Sequence, residues 1–466
     1  MLFNSDVFLF CFLPIVLLGW WLLPGQTPRL TFLALASWFF YGWWDWKYIP
    51  LMVLSTSVDW VAGQAIARRS DRPARKRILV AAMAFNLALL GYFKYAGFFL
   101  DSGNGIGSLV GQGHVFPALH VVLPIGISFY TFNSMSYTID VYRERVRPAS
   151  NFLHYAAFVA LFPHLIAGPI VRYSDIEDQL ERLAPRLTAQ LAGSGLFFFT
   201  AGMVKKLVFA DQLAPNVNRV FAAHAHLGLL SSWAGAIGYS LQLYFDFSGY
   251  SDMAVGLAFL LGFRFPQNFN SPYKSRNISE FWRTWHMTLS FWIRDYIFIP
   301  LGGSRGTRAA TLRNLIVTMT IGGLWHGAAW TFVIWGLAHG AMLAGHSILK
   351  TRGLVPRSEW LNRAITFACV VAAFVVFRAP SIGNAADVLS SMAGLHGIES
   401  IDRLHSLLGV PFVLLIAGLL VWVNVLPNTW QVRVRPRPLH GLALGLALGY
   451  AILLIGSPSP FLYFQF

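Results

Sequence analysis

"TMTIGGLWHGAAWTFVIWGLAHG" runs from Thr318 to Gly340 without a single Asp, Glu, Lys or Arg. About 20 such residues suffice to cross a bilayer as one helix. Yet the stretch holds two histidines, His326 and His339. Ionisable rings are expensive inside a membrane and by default mark function. The spacing of the two does not put them on one face of a single helix. Either ring reads as functional or as a core histidine satisfied by a helix carbonyl; where one is functional, the other, off its face, reads as structural.

The rest of the chain supports the membrane reading. Of 466 residues, 56% are hydrophobic and only 12% charged, about half the charged share of a soluble domain. Uncharged runs of membrane-spanning length recur from end to end, the mark of a polytopic helical membrane protein. They argue against an outer-membrane barrel, whose strands alternate over about ten residues. The formal charge of +15 would point to nucleic acid in a soluble protein. Here it reads as basic residues crowding cytoplasmic loops, and no nucleic-acid partner is expected. Cys11 and Cys369 sit in apolar spans; they read as core residues, with neither a disulfide framework nor a metal site implied.

"SDVFLFCFLPIVLLGWWLLPG", from Ser5, lacks the basic start and cleavage site of a signal peptide and reads as a permanent span. Spans follow near 30–47 and 49–66. The dense basic run "RRSDRPARKR" (Arg68–Arg77) belongs in the cytoplasm, which puts the N-terminus outside and Arg29 inside. Further spans over 78–100 and about 117–139 bring "RERVR" (143–147) back inside. "FPHLIAGPIVRY" (162–173) combines His164, Gly168, Pro169 and Arg172 and predicts a broken or re-entrant helix. Apolar segments recur near 190–209, 228–261, 311–345, 364–378, 406–425 and 438–457. About eleven to thirteen membrane segments are expected, some incomplete. The longest polar stretch of the C-terminal half covers 380–404. Nothing isolates a soluble domain, so residues 1–466 read as one integral-membrane domain. The final "FLYFQF" partly resembles a protease-tag scar but lacks its Glu-Asn lead, and reads as native.

Between 264 and 313 basic residues accumulate, with only Glu280 and Asp295 against them. "PQNFNSPY" (266–273) is bracketed by prolines and cannot be regular helix. Ser279 is a candidate cap for the helix that follows. On that helix Trp282 and His286 share a face, as do Phe281 and Trp285. Aromatics with Arg283 and Arg294 suit the membrane interface. The turn "PLGGSRG" (300–306) follows, with Arg305. These arginines suit either a phosphorylated donor or lipid headgroups; no Walker or dinucleotide motif is present. Just upstream, "LYFDFSGYSDM" carries Asp246 and Asp252. Buried acids need partners or a polar cavity, and Arg or His on neighbouring helices are the expected partners.

Five motifs together carry a resemblance. They are "VLPIGISFYTFNSMSYTIDVYR" (122–143), "FPHLIAGPIVRY" (162–173), "QLYFDFSGYSDMAVGLAFLLGFRFPQNFNSPY" (242–273), "SEFWRTWHMTLSFWIRDYIFIPLGG" (279–303) and "GGLWHGAAWTFVIWGLAHG" (322–340). In this order, within 122–345, they resemble the membrane-bound O-acyltransferase family. The match is closer to the branch that acetylates exopolysaccharides such as alginate than to the branch that D-alanylates teichoic acid. Beyond residue 345 the match is looser, although the "YFQF" ending also resembles the first branch.

The resemblance implies an all-α fold, a ring of tilted transmembrane and re-entrant helices around a central catalytic tunnel. It implies a catalytic His326, from the "LWHG" element, and a second catalytic histidine, His286, from "RTWHMTLS". Asn268, Asn270, Trp282, Trp325 and Asp246 become substrate-binding candidates, with Asn268 and Asn270 either bonding the donor or holding their loop. His164 is a weaker candidate for lining the cavity. Arg283, Arg294 and Arg305 become candidates for the phosphates of acetyl-CoA, the implied donor; no metal is implied. Acetyl transfer from a thioester to an alcohol needs the hydroxyl proton removed as oxygen attacks, a task suited to neutral imidazole. There is no Gly-x-Ser-x-Gly elbow, and neither cysteine is placed as an acyl carrier. The implied setting is a bacterial inner membrane, with membrane lipids, a polysaccharide acceptor and an extracytoplasmic acetyltransferase partner protein. Two alternatives stand beside it: D-alanyl transfer from a carrier-protein thioester, and a transporter of a small acylated molecule, for which broken helices would also suit.

Overall fold

The computed structural model describes residues 1–111, 113, 115–117, 119, 121–432, 438–456 and 461–462. The "YFQF" ending at 463–466 lies outside the described residues. Every regular element among the described residues is helical. The chain divides into two compact units, Met1–Phe199 with Met253–Pro266, and Thr200–Asp252 with Gln267–Phe466.

The first unit opens with a π-helical turn, Val7–Phe12, continuing into α1 (Leu13–Leu22). Then come α2 (Gln26–Asp45), α3 (Ile49–Ala67) and α4 (Arg72–Leu90), extended through a π-turn at Gly91–Tyr95 into α5 (Ala96–Leu109). Asp71, inside the basic run, accepts from the Ala74 N–H at 3.1 Å, with Pro73 in the first turn of α4. The run is thus a sharp turn with a capped helix start. The expected span over 117–139 begins only with α6 (Ile127–Tyr142), because Pro117 and Pro124 withhold backbone donors and Gly126 turns the chain at φ 76°.

Next come α7 (Phe152–Ala160), α8 (Phe162–Leu165), α9 (Tyr173–Glu181) and α10 (Ala189–Met203). The break in "FPHLIAGPIVRY" is present: helix stops at Leu165, Gly168 takes φ 112°, and every residue from Phe162 to Val171 is buried. Irregular backbone is tolerated at membrane depth when protein covers it in this way. His164 is fully buried, its Nδ1 3.2 Å from Asn133 Nδ2.

The second unit continues through a π-turn, Val204–Ala210, into α11 (Asp211–Ala222) and the long α12 (Leu229–Leu260). Short helices follow, α13 (Ile278–Thr284) and α14 (Met287–Ile293), then α15 (Arg308–His326), α16 (Trp330–Thr351) and α17 (Glu359–Arg378). The stretch expected to be a polar loop over 380–404 contains α18 (Ile382–Met392), capped by Ser381. The segment 406–425 is not one continuous helix. It divides into α19 (Ile401–Leu408) and α20 (Val410–Val425), bent by 77° where Gly409 takes φ 72°. The last helix described is α21 (Pro438–Leu453).

Among the described residues five helices are long and apolar enough to cross a membrane, or six with the bent pair as one, and Val7–Leu22 and Pro438–Leu453 are shorter apolar helices; the expected eleven to thirteen segments include incomplete ones of this kind. Apolar sequence here is often cut into pieces of two turns or fewer, as α8, α13 and α14 show. Cys11 and Cys369 are exposed rather than core; a thiol is apolar enough to face lipid.

Candidate active site

The stretch that reads as one span is two helices. α15 ends at His326, Gly327 is extended (φ −160°, ψ 153°), and α16 starts at Trp330. The helices return antiparallel, almost backbone to backbone. A Cβ on Gly323 would lie 2.3 Å from the Phe332 carbonyl oxygen, one on Gly336 2.5 Å from that of Met319, and one on Gly340 2.7 Å from Ile316 Cα. Glycine is what permits this approach. His326 therefore sits at a helix end beside the break, and His339 lies on a different helix.

His326 is 7% exposed. Its ring meets those of Trp325 at 5.0 Å, Trp335 at 5.2 Å and Phe377 at 5.3 Å, all edge-on. The His286 ring centroid is 6.5 Å away, so the fold brings together histidines from two distant motifs. Trp325 is close to both, 6.2 Å from the His286 ring.

His286 is fully buried and takes a left-handed conformation, φ 41°, between α13 and α14. A non-glycine residue held there is strained and needs its surroundings to fix it. Phe247 of α12 meets its ring edge-on at 4.7 Å. Asn268 Oδ1 lies 3.1 Å from His286 Nδ1 and accepts from the Thr288 hydroxyl at 2.8 Å. Asn268 Nδ2 donates to Ser251 at 3.0 Å, and its backbone oxygen accepts from the Met287 N–H at 2.9 Å. An oxygen facing Nδ1 assigns the imidazole proton to Nδ1. The Nε2 lone pair is then free for a substrate proton, and Nε2 has no partner among the described residues.

The left-handed His286 also overturns the shared face expected for Trp282 and His286. α13 stops at Thr284 and Trp285 is extended. Trp282 Nε1 instead donates to His339 Nδ1 at 3.2 Å, which agrees with a structural His339. Phe281 and Trp285 do stack, at 5.6 Å and 16°. The cap of α13 is Asn277, accepting from the Glu280 N–H at 2.9 Å, and not Ser279.

The "PQNFNSPY" loop is bonded on several sides. The Asn270 N–H donates to the Thr284 carbonyl at 2.8 Å, and Asn270 Oδ1 accepts from Asn428 at 2.8 Å. The side chains of Asn268 and Asn270 both bond to neighbouring segments and so hold the loop. Asp246, 1% exposed, pairs with Lys206 at 2.7 Å and accepts from the Leu462 N–H at 3.0 Å. Asp252 pairs with Lys205 at 2.6 Å and accepts from Thr429 at 2.7 Å. The expected Arg or His partners are in fact two lysines hidden in the apolar segment 190–209. The adjacent pair opposite two buried acids was the signal that would have found them. Ser251, Thr288 and Phe247 carried no signal of their own.

Arg283, Arg294 and Arg305 are exposed. Arg294 pairs with Asp295 at 2.7 Å and covers the Phe291 ring. Among the described residues no three His, Cys, Asp or Glu side chains converge to hold a metal ion. Paired, buried imidazoles walled by tryptophan and phenylalanine suit proton transfer to and from an attacking hydroxyl.

Comparison with known proteins agrees with this chemistry. The family described as MBOAT, membrane-bound O-acyltransferase, matches residues 116–381. A protein named probable alginate O-acetylase from Azotobacter vinelandii is 45% identical over 84% of this chain and 78% of its own length. A peptidoglycan O-acetyltransferase from Helicobacter pylori is 39% identical over 86% of this chain and 81% of its own. A teichoic acid D-alanyltransferase from Bacillus subtilis is 29% identical over 56% of this chain and 70% of its own. The transporter alternative falls away, and the chain belongs to the membrane-bound O-acyltransferase family as a multi-pass membrane O-acyltransferase.

Proposed function

We propose that this protein moves an acetyl group from cytosolic acetyl-CoA to the hydroxyl of a cell-envelope polysaccharide, alginate or a related exopolysaccharide, in a bacterial inner membrane. The observation that carries this is the pairing of His326 with His286 at 6.5 Å inside an aromatic, buried site. His326 acts as the base. It takes the proton as the hydroxyl oxygen attacks the thioester carbonyl, and returns it to the departing thiolate, releasing free coenzyme A. His286, its proton fixed at Nδ1 by Asn268, orients the acceptor through Nε2. Trp325 and Trp282 wall the site, and Asn270 and Asp246 secure the loop and helix that carry it. Arg283, Arg294 and Arg305 receive the phosphates of coenzyme A. The whole chain, 1–466, works as one acyltransferase domain, and an extracytoplasmic partner protein completes delivery to the polysaccharide.

The Bacillus subtilis relative supports a second reading, D-alanyl transfer from a carrier-protein thioester. Purified protein, partner and glycan incubated with radiolabelled acetyl-CoA separate the two. Acetyl incorporation is expected. Transfer only from a D-alanyl carrier thioester would establish the second reading instead.

A further inference from the structure

A cleft of about 1080 Å³ opens in the first unit, and none of the residues lining it belongs to the histidine site. It brings together the two basic runs that the sequence places on one side of the membrane. Arg68 and Arg69 follow the end of α3, and Arg147 lies in the turn after α6. Arg182 closes α9 and completes the basic lining. The opposite wall is acidic: Glu177, Asp178 and Glu181 share one face of α9.

The two walls do not close on each other as ion pairs. Among the described residues, Arg75 pairs with Glu144, and Arg145 approaches Asp140 at 3.9 Å. Among the described residues no ion pair within 4.0 Å engages Arg68, Arg69, Arg147 or Arg182, nor the three carboxylates of α9, although Arg147 acts on Glu177 at longer range. Burial, then Asp178 and Glu181, push the Glu177 carboxyl up to about 6 against the opposing pull of Arg147, so the acid cluster outweighs the one guanidinium acting on it.

The frame around these charges is fixed. Arg75 binds the Glu144 carboxylate and donates to the Tyr142 carbonyl at 3.0 Å. Glu144 is held at φ 59°. The Arg145 N–H reaches the Asp140 carbonyl at 2.9 Å, and Gln64 donates to the Ala149 carbonyl at 2.7 Å. A preformed site loses less freedom on binding.

A purely anionic ligand would meet three carboxylates, and a purely cationic one four guanidiniums. Only a group with both charges a short spacer apart satisfies both walls. The cleft lies at the ends of α3 and α4, both within candidate membrane spans, which is the level of lipid headgroups. Its volume exceeds what a lone phosphate fills and admits a headgroup with its glycerol.

We propose that this cleft binds a phosphoethanolamine group, the phosphate on Arg68, Arg69, Arg147 and Arg182 and the ammonium on Glu177, Asp178 and Glu181. The group is carried by a phospholipid or is free in solution. The test uses the full chain in detergent micelles, titrated with acyl-labelled phosphatidylethanolamine and, separately, phosphatidylglycerol. Phosphatidylethanolamine should bind about tenfold more tightly. That preference should vanish in Glu177→Gln/Glu181→Gln and in Arg147→Ala/Arg182→Ala, while Arg352→Ala retains it. Unchanged elution and melting would show that each exposed-site variant is folded. Soluble O-phosphoethanolamine at millimolar concentration distinguishes the sources: displacement assigns the site to the free headgroup, and resistance assigns it to the lipid. Equal or tighter binding of phosphatidylglycerol, or a preference surviving the glutamine double variant, would overturn the proposal.

Discussion

Asn268 Oδ1 stands 3.1 Å from His286 Nδ1 while its amide nitrogen reaches back 3.0 Å to Ser251 on α12. One side chain thus fixes both the tautomer of a buried imidazole and the position of its loop. Asn268→Ala should release both. With the ring free to turn, turnover should fall by roughly 10- to 100-fold, by analogy with the loss of outer partners of liganding histidines. Stability should fall by about 1–3 kcal/mol as the buried Thr288 and Ser251 hydroxyls lose their partner. Turnover measured beside detergent melting checks this. An alanine variant with normal turnover would show that His286 needs no orienting group.

His326→Ala should abolish transfer while leaving the protein folded. If His326 is the base, turnover drops by roughly 10²–10⁴-fold or more with melting nearly unchanged. A histidine serving only the core would lower melting and turnover together. His286→Ala should give a smaller, acceptor-dependent loss. A folded His326→Ala protein with near-normal transfer would move the role of base to His286, whose Nε2 has no partner among the described residues.

Much of this site was legible in sequence, and the parts that were not share a cause. Long uncharged runs announced the membrane helices, and Gly168–Pro169 announced the broken segment, because both signals are local. The break after His326 was hidden, since "WHGAAW" contains neither proline nor charge. What forces the turn is the packing of Gly323, Gly336 and Gly340 across the hairpin, a tertiary fact. The end of α13 was hidden for the same reason: "EFWRTWHMTL" has a helical pattern, and tertiary contacts, those of Asn268 and Phe247 among them, surround His286 in its left-handed turn. Lys205 and Lys206 lie in an apolar segment with no local sign of their partners, because folding alone sets Asp252 and Asp246 opposite them.

Lys206 joins Asp246 and Asp211, at 2.7 and 2.8 Å. Lys206→Met should leave Asp246 buried beside no cation and destabilise the protein by about 3–5 kcal/mol. Adding Asp246→Asn removes the stranded charge and should recover part of that loss. Melting of the single and double variants reads this directly. A single variant as stable as the parent would show that the pair is dispensable to the fold.

The hairpin that presents His326 depends on contacts that no side chain tolerates. Gly336→Ala would place a methyl 2.5 Å from the Met319 carbonyl oxygen and 2.9 Å from Thr320 Cα. Both are backbone atoms and cannot swing aside, so α15 and α16 must separate. Such overpacking typically costs about 1–3 kcal/mol. Separation also shifts His326 relative to His286, so activity should fall even where the protein still folds. Gly345 lies on the same helix with nothing within 4 Å of its Cβ position. Gly345→Ala should therefore be neutral, or stabilising by up to about 1 kcal/mol through helix propensity alone. Melting temperature and transfer rate of the two variants, measured side by side, test the packing argument. It fails if Gly336→Ala matches Gly345→Ala in both, since the hairpin would then be loose enough to admit a methyl group without moving the histidine.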